Sequence, residues 1–185
     1  PTVDLDGDGD LDFVALFAQE HEEVDAFLNR GDGTFERQII HLAGDPSYGS
    51  SGIQLVDMDR DGDVDVLYTN GDSLDSFFIK PYHSVQWLEN TGDFPFRHHA
   101  IAQLPGASRA IAGDLDGDGD LDIAVCGYLP DRVVPQMATG TCDTRQRSHD
   151  FRRNLLVQFD VLFELGQQGT THGFGLGRVL CISLQ

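Results

Sequence analysis

Short apolar runs recur along the chain at wide, regular intervals. Phe13-Val14-Ala15-Leu16, Val66-Leu67-Tyr68-Thr69 and Ile123-Ala124-Val125-Cys126 are rich in β-branched and aromatic residues. Such runs read as buried strands. Each follows a nine-residue polar stretch with Asp at every second position. Asp4 to Asp12 reads DLDGDGDLD, Asp57 to Asp65 reads DMDRDGDVD, and Asp114 to Asp122 reads DLDGDGDLD again. The segments Gly52-Ile53-Gln54-Leu55-Val56 and Arg109-Ala110-Ile111-Ala112-Gly113 precede the second and third stretches. They are also strand-like, so each acidic stretch is expected to be a loop joining two strands.

The spacing between loops repeats as well. Val24 to Gly31 (VDAFLNRG) aligns with Val85 to Gly92 (VQWLENTG), and both close on Asn and a turn glycine. Phe35-Glu36-Arg37-Gln38-Ile39-Ile40-His41 then matches Phe96-Arg97-His98-His99-Ala100-Ile101-Ala102. One repeat is therefore four strands: strand, acidic loop, strand, linker, strand, Asn-Gly turn, strand. Four antiparallel strands in a repeated unit of roughly 40–50 residues mark a β-propeller blade. The all-β chain reads as about three blades of a larger propeller, with repeats over residues 1–130. The first blade is expected to lack its opening strand, since Pro1 stands almost at the loop. An open arc would leave sheet edges exposed, so a ring continuing beyond both ends is the alternative. After Pro130 the pattern stops, and residues 131–185 read as a divergent blade or an unrelated tail. Within them Leu155 to Leu165 and Val179 to Leu184 are candidate strands, and Asp143 to Arg153 is a polar loop or disordered.

Charge sharpens this picture. The chain of 185 residues carries 31 acids against 12 Lys plus Arg, a formal net charge of −19. Fifteen of those acids stand in the three nine-residue loops, so the protein has three acidic points on an otherwise mildly charged frame. Such a balance repels phosphate backbones and excludes a nucleic-acid binder, while it favours cations. No run approaches the roughly eighteen apolar residues of a membrane-spanning helix. No signal peptide can be read, and the chain is taken as a fragment or processed piece. Cys126, Cys142 and Cys181 are an odd count without CxxC spacing, and form neither a disulfide framework nor a zinc site.

Within a loop, Asp occupies positions one, three, five, seven and nine, and Gly position six, which lets the backbone bend back. Two carboxylates about 5 Å apart repel by roughly 3 kcal/mol at an effective dielectric of about 20. Several such pairs in one turn must either splay into water or share a cation, and the strict spacing in three loops favours the cation. Hard oxygen donors select Ca²⁺, Mg²⁺ or Mn²⁺ over zinc or copper. Several protein oxygens in a flexible turn suit Ca²⁺ best. About three sites are expected. The candidate ligands are Asp4, Asp6, Asp8, Asp10 and Asp12; Asp57, Asp59, Asp61, Asp63 and Asp65; and Asp114, Asp116, Asp118, Asp120 and Asp122. Positions one, three, five and nine are assigned through their side chains. A helix-loop-helix calcium site is excluded, because its twelfth position must be Glu and here is Ala15, Tyr68 or Val125.

The motif D-x-D-x-D-G-x-x-D followed by an apolar strand, present three times at blade spacing, resembles the FG-GAP/VCBS repeat family, which includes the blades of the integrin α head. The resemblance covers residues 1 to about 130. It implies a propeller, usually seven-bladed, with calcium in the hairpin loop between the first two strands of a blade. Position seven (Asp10, Asp63, Asp120) would then ligate through its main-chain carbonyl. It also implies an extracellular, cell-surface or periplasmic setting and a recognition, adhesion or scaffolding role toward a protein or glycan. The Phe-Gly and Gly-Ala-Pro elements are replaced by a scrambled Pro105-Gly106-Ala107, which favours the bacterial VCBS-type branch. The expected module has no catalysis of its own; the alternative is part of a secreted polysaccharide lyase or hydrolase.

Other residues carry weaker signals. Trp87, placed where Phe27 stands in the preceding repeat, is expected in the blade core. His98 and His99 are strand neighbours that face opposite sides and cannot easily share a metal. Tyr82 and His83 lie in the insertion between Asp72 and Ser84, a face loop with no catalytic mark. Lys80 is the single lysine. Gly173 to Gly177 (GFGLG) forms no phosphate loop.

Overall fold

The computed structural model describes residues 1–73, 78, 80–115 and 117–127, and the backbone of three short strands beyond them. The described residues are all-β and contain no helix, hence none long enough to cross a membrane. The first sheet joins β1 (Thr2–Val3), β2 (Asp12–Phe17), β3 (Glu23–Asn29) and β4 (Phe35–Leu42) in chain order. The second joins β5 (Ser50–Val56), β6 (Asp65–Asn70), β7 (Ser84–Glu89) and β8 (Arg97–Gln103) in the same order. Every pairing is antiparallel. The third sheet starts with β9 (Ala107–Gly113) and β10 (Asp122–Gly127). These are the four-stranded meanders expected of propeller blades.

Beyond Pro130, β11 (Val161–Leu162) pairs with β12 (Arg178–Val179). β13 (Ser183–Leu184) lies against β10, where the third strand of a blade would stand. These strands fall within the two segments expected to be extended, apart from Arg178. The reading of Asp143 to Arg153 lies outside the described residues.

Two expectations are corrected. The first blade does carry an opening strand, cut to two residues: Thr2 pairs with Phe13 and Val3 with Asp12. Trp87 is not the counterpart of Phe27. Trp87 stands opposite Leu67 as Ala26 stands opposite Val14, whereas Phe27, opposite Phe13, corresponds to Leu88, opposite Val66. One residue of register exchanges the two faces of a strand, so the slip matters.

The faces explain the stacking. Val14, Val24, Ala26 and Leu28 of the first sheet meet Val66, Tyr68 and Leu88 of the second in one buried core. On its other face the second sheet offers Leu67 and Val85 to Ala107, Ala110, Ile123 and Val125 of the third. All six residues of β6 are buried, because a sheet covers each of its sides. The outer face of the first sheet differs. Phe13 and Phe27 stack there at 4.6 Å, with Phe35 edge-on to Phe13 at 5.2 Å. Phe17 and Phe35 remain 39% and 48% exposed. The faces that the second sheet fills with Val66 and Leu88 are thus filled by phenylalanine where no described sheet lies in front.

Candidate metal centre

Each acidic loop links the first strand of a sheet to its second, so all three loops emerge at the same end of the strands. Their backbones follow one path. Position six is left-handed in each (Gly9 φ 96°, Gly62 φ 100°, Gly119 φ 93°). Position four is left-handed as well (Gly7 φ 76°, Arg60 φ 65°, Gly117 φ 81°). Glycine tolerates that region freely; an arginine there carries strain.

The carboxylate at position one organises the turn. Asp4 accepts the N–H groups of Gly7 at 2.9 Å and Gly9 at 3.0 Å. Asp57 accepts those of Arg60 at 2.7 Å and Gly62 at 3.1 Å. Asp114 accepts those of Gly117 at 2.7 Å and Gly119 at 3.1 Å. Position five accepts from position seven: Asp8 from Asp10 at 2.9 Å, Asp61 from Asp63 at 2.9 Å, Asp118 from Asp120 at 2.8 Å. The side chains of Asp10, Asp63 and Asp120 stay exposed.

These turns bring positions one, three and five together. One oxygen each from Asp4, Asp6 and Asp8 lies within 4.8 Å of the others, and the same holds for Asp57, Asp59 and Asp61. In the third loop Asp116 lies outside the described residues. Partial desolvation, followed by the charges of Asp8, Asp12 and Asp4, raises the Asp6 carboxyl above its ordinary value. Asp59 is raised in the same way, by desolvation and then by Asp61 and Asp57. A hard divalent ion would relieve that crowding, and an all-oxygen donor set fits calcium.

Position nine is built differently. Asp12, Asp65 and Asp122 are 0%, 1% and 2% exposed at the base of their loops. Asp12 accepts the Leu5 and Asn29 N–H groups, each at 2.7 Å. Asp65 accepts those of Met58 at 2.9 Å and Asn90 at 2.7 Å, and burial raises its carboxyl above the ordinary range. Asp122 accepts from Leu115 at 2.9 Å. Each oxygen keeps a second lone pair, so position nine remains a candidate ligand while it also anchors the loop.

The asparagines read only as turn residues complete that anchor. The Asn29 and Asn90 side chains donate to Leu11 O and Val64 O, both at 3.3 Å, and accept from Gly31 and Gly92, both at 3.0 Å. The shared Asn-x-Gly spacing was the available signal. Sequence reasoning also missed Arg60, whose guanidinium reaches across to Gly119 O and Asp120 of the third loop. It pairs the loops of neighbouring sheets.

With repeat, blade and loop in place, the FG-GAP-like repeat family matches residues 4–68 and 69–125. The chain belongs to that family. FG-GAP-like repeats therefore account for the four-stranded sheets and for the recurrence of the loop. Cartilage acidic protein 1 of Xenopus tropicalis is 32% identical over 101 residues, and cartilage acidic protein 1 of Homo sapiens 33% identical over 101 residues. The match covers 52% of this chain and 14% of the length of each relative. No solved structure matches the chain significantly.

The remaining sequence candidates fall into place as packing groups. His98 and His99 do face opposite sides. His98 donates to Gln86 Oε1 at 2.6 Å and stacks on His41, while His99 stacks on Trp87 at 4.6 Å and bonds Glu89. Tyr82 stacks on Tyr48 at 5.5 Å, and its hydroxyl lies 3.1 Å from Ser47 Oγ. The Lys80 ammonium donates to Ser47 O. Gly173 to Gly177 lie outside the described residues.

Proposed function

We propose that this FG-GAP-like chain is a calcium-pinned propeller module with no chemistry of its own, serving recognition or scaffolding in an extracellular or cell-surface setting. The supporting observation is the convergence of Asp4, Asp6 and Asp8, and of Asp57, Asp59 and Asp61, within 4.8 Å. Calcium would be held by those carboxylates, with positions seven and nine as further oxygen donors. The role of the ion is structural. It removes the repulsion at the loop tip and fixes the hairpin that leads from the first strand of a blade to its second. The extracellular setting is supported by the two relatives named for cartilage and by the free calcium available outside cells.

At free calcium ten times the dissociation constant, each site adds about 1.4 kcal/mol, and three sites add about 4. That is a large part of a typical stability of about 5–15 kcal/mol. Differential scanning calorimetry of the intact chain should show a melting temperature that falls on chelation with EDTA and returns with excess Ca²⁺ but not with Na⁺. A melt indifferent to both would overturn the calcium assignment.

A further inference from the structure

We propose that a serine-lined pocket between the second and third sheets, at the end of the strands opposite the aspartate loops, binds a single ring of a neutral sugar. Its walls are Ser50, Ser51, Gly71, Asp72, Ser73, Gly106 and Ser108, around a volume of about 310 Å³. This is the lower end of the roughly 300–1,000 Å³ usual for ligand pockets, enough for one pyranose ring. Ser50 and Ser51 open β5, Gly71 to Ser73 follow β6, and Gly106 and Ser108 flank the start of β9. The loops connect the other ends of these strands, so the pocket and the metal centres lie at opposite ends of the blades.

The chemistry of the walls selects the ligand class. Among the described residues, four serines and one aspartate line the pocket, and none of these is basic. The carboxylate disfavours anions and accepts from hydroxyl groups. A polyol, which both donates and accepts, matches such a surface.

The pocket also has hydrogen-bonding capacity that the protein does not use. Ser73 is 2% exposed, and its Oγ has no partner. His83, outside the lining itself, is wholly buried with neither ring nitrogen bonded. A Cβ on Gly49 would lie 2.6 Å from Asp72 O and 3.2 Å from His83 Nε2, so Asp72 and His83 both close on that glycine. Buried polar groups without partners are costly and call for ordered water or a ligand. A sugar hydroxyl displaces such water while reproducing its bonds.

The walls are held in place before a ligand arrives. Ser51 Oγ donates to Ala107 O at 2.7 Å and accepts from Gly71 N at 3.3 Å, tying the second sheet to the third. That rigidity lowers the entropic cost of binding. The proposal rests on the reading of the chain as a recognition module, but not on its metal sites.

Saturation-transfer NMR on the intact calcium-loaded chain tests it, with the methyl glycosides of glucose, galactose, mannose and N-acetylglucosamine as probes. Glucuronate serves as the anionic control, and immobilised glycans form a separate arm. Saturable transfer is expected to at least one neutral glycoside. Ser73→Val and Asp72→Asn should each weaken it at least about tenfold with an unchanged circular dichroism spectrum. Ser108→Ala should weaken it less, and stands in should Ser73→Val fail to fold. Absence of transfer to every neutral probe, equal binding of glucuronate, binding only to the immobilised chains, or binding unaffected by the substitutions would each overturn the proposal. The calcium-dependent melt is read separately, so either reading can fail while the other stands.

Discussion

The aspartates of one loop have two different jobs, and position decides which. Positions one, three and five converge at the exposed tip, whereas position nine is buried and bonded to backbone. Asp65 accepts two N–H groups from two separate segments, Met58 of its own loop and Asn90 at the end of β7. Asp65→Ala would leave both donors without their partner, and each orphaned buried donor costs about 1–3 kcal/mol. Urea unfolding of Asp65→Ala should therefore show a loss of about 2–6 kcal/mol that persists in EDTA. A loss that vanished on chelation would mean that Asp65 acts through the metal alone. The alternation of Asp in the sequence could not separate these jobs, since all five positions look alike until the chain returns with Asn90.

At the scale of elements, the close approach of the second and third sheets is set by glycine. A Cβ on Gly71 would sit 2.1 Å from Ala107 N and 2.2 Å from Ala107 O, both backbone atoms that cannot swing aside. Gly71→Ala should force the sheets apart and cost about 3 kcal/mol or more, read as a lowered urea midpoint. The strands themselves were legible: every apolar run singled out in residues 1–127 is a strand, because the period-two pattern and the turn residues agree locally. The two-residue β1 was not, since pairing to β2 rather than any local pattern defines it. The shared Asn-x-Gly already sets Trp87 beside Ala26 and Leu88 beside Phe27, so equating Trp87 with Phe27 matched aromatic to aromatic against the register of the two segments. A one-residue offset decides which sheet a side chain meets.

At the scale of the molecule, a buried histidine, His83, and a half-buried one, His41, are expected to make the stacked sheets sensitive to acid. Burial, and then the neighbouring His98, lowers the His41 pKa to about 4. Burial, and then Lys80, lowers that of His83 to about 4. Both titrate near 6.5 in the unfolded chain. Between these values the unfolded state binds more protons, so stability is full above about pH 6.5 and declines as pH falls toward 4. In EDTA, to remove any metal contribution, the urea midpoint should drop between pH 7 and pH 5. The variant carrying His41→Gln and His83→Gln should show a shallower drop. An identical slope in both proteins would assign the acid sensitivity to other groups.

By itself, the sequence determined the repeat, the four-strand unit, the hairpin loops and the concentration of charge at their tips. All of these follow from short-range patterns: alternation, turn glycines and regular spacing. Tertiary structure alone decided that β6 is covered on both sides while the phenylalanine face of the first sheet is covered by no described element. It decided that Arg60 spans two loops, and that Ser73 and His83 are buried with unused hydrogen-bonding groups beside a pocket. Those features depend on which segments meet across roughly twenty to sixty residues of chain, and the energy of such contacts leaves no mark on the local pattern of either partner.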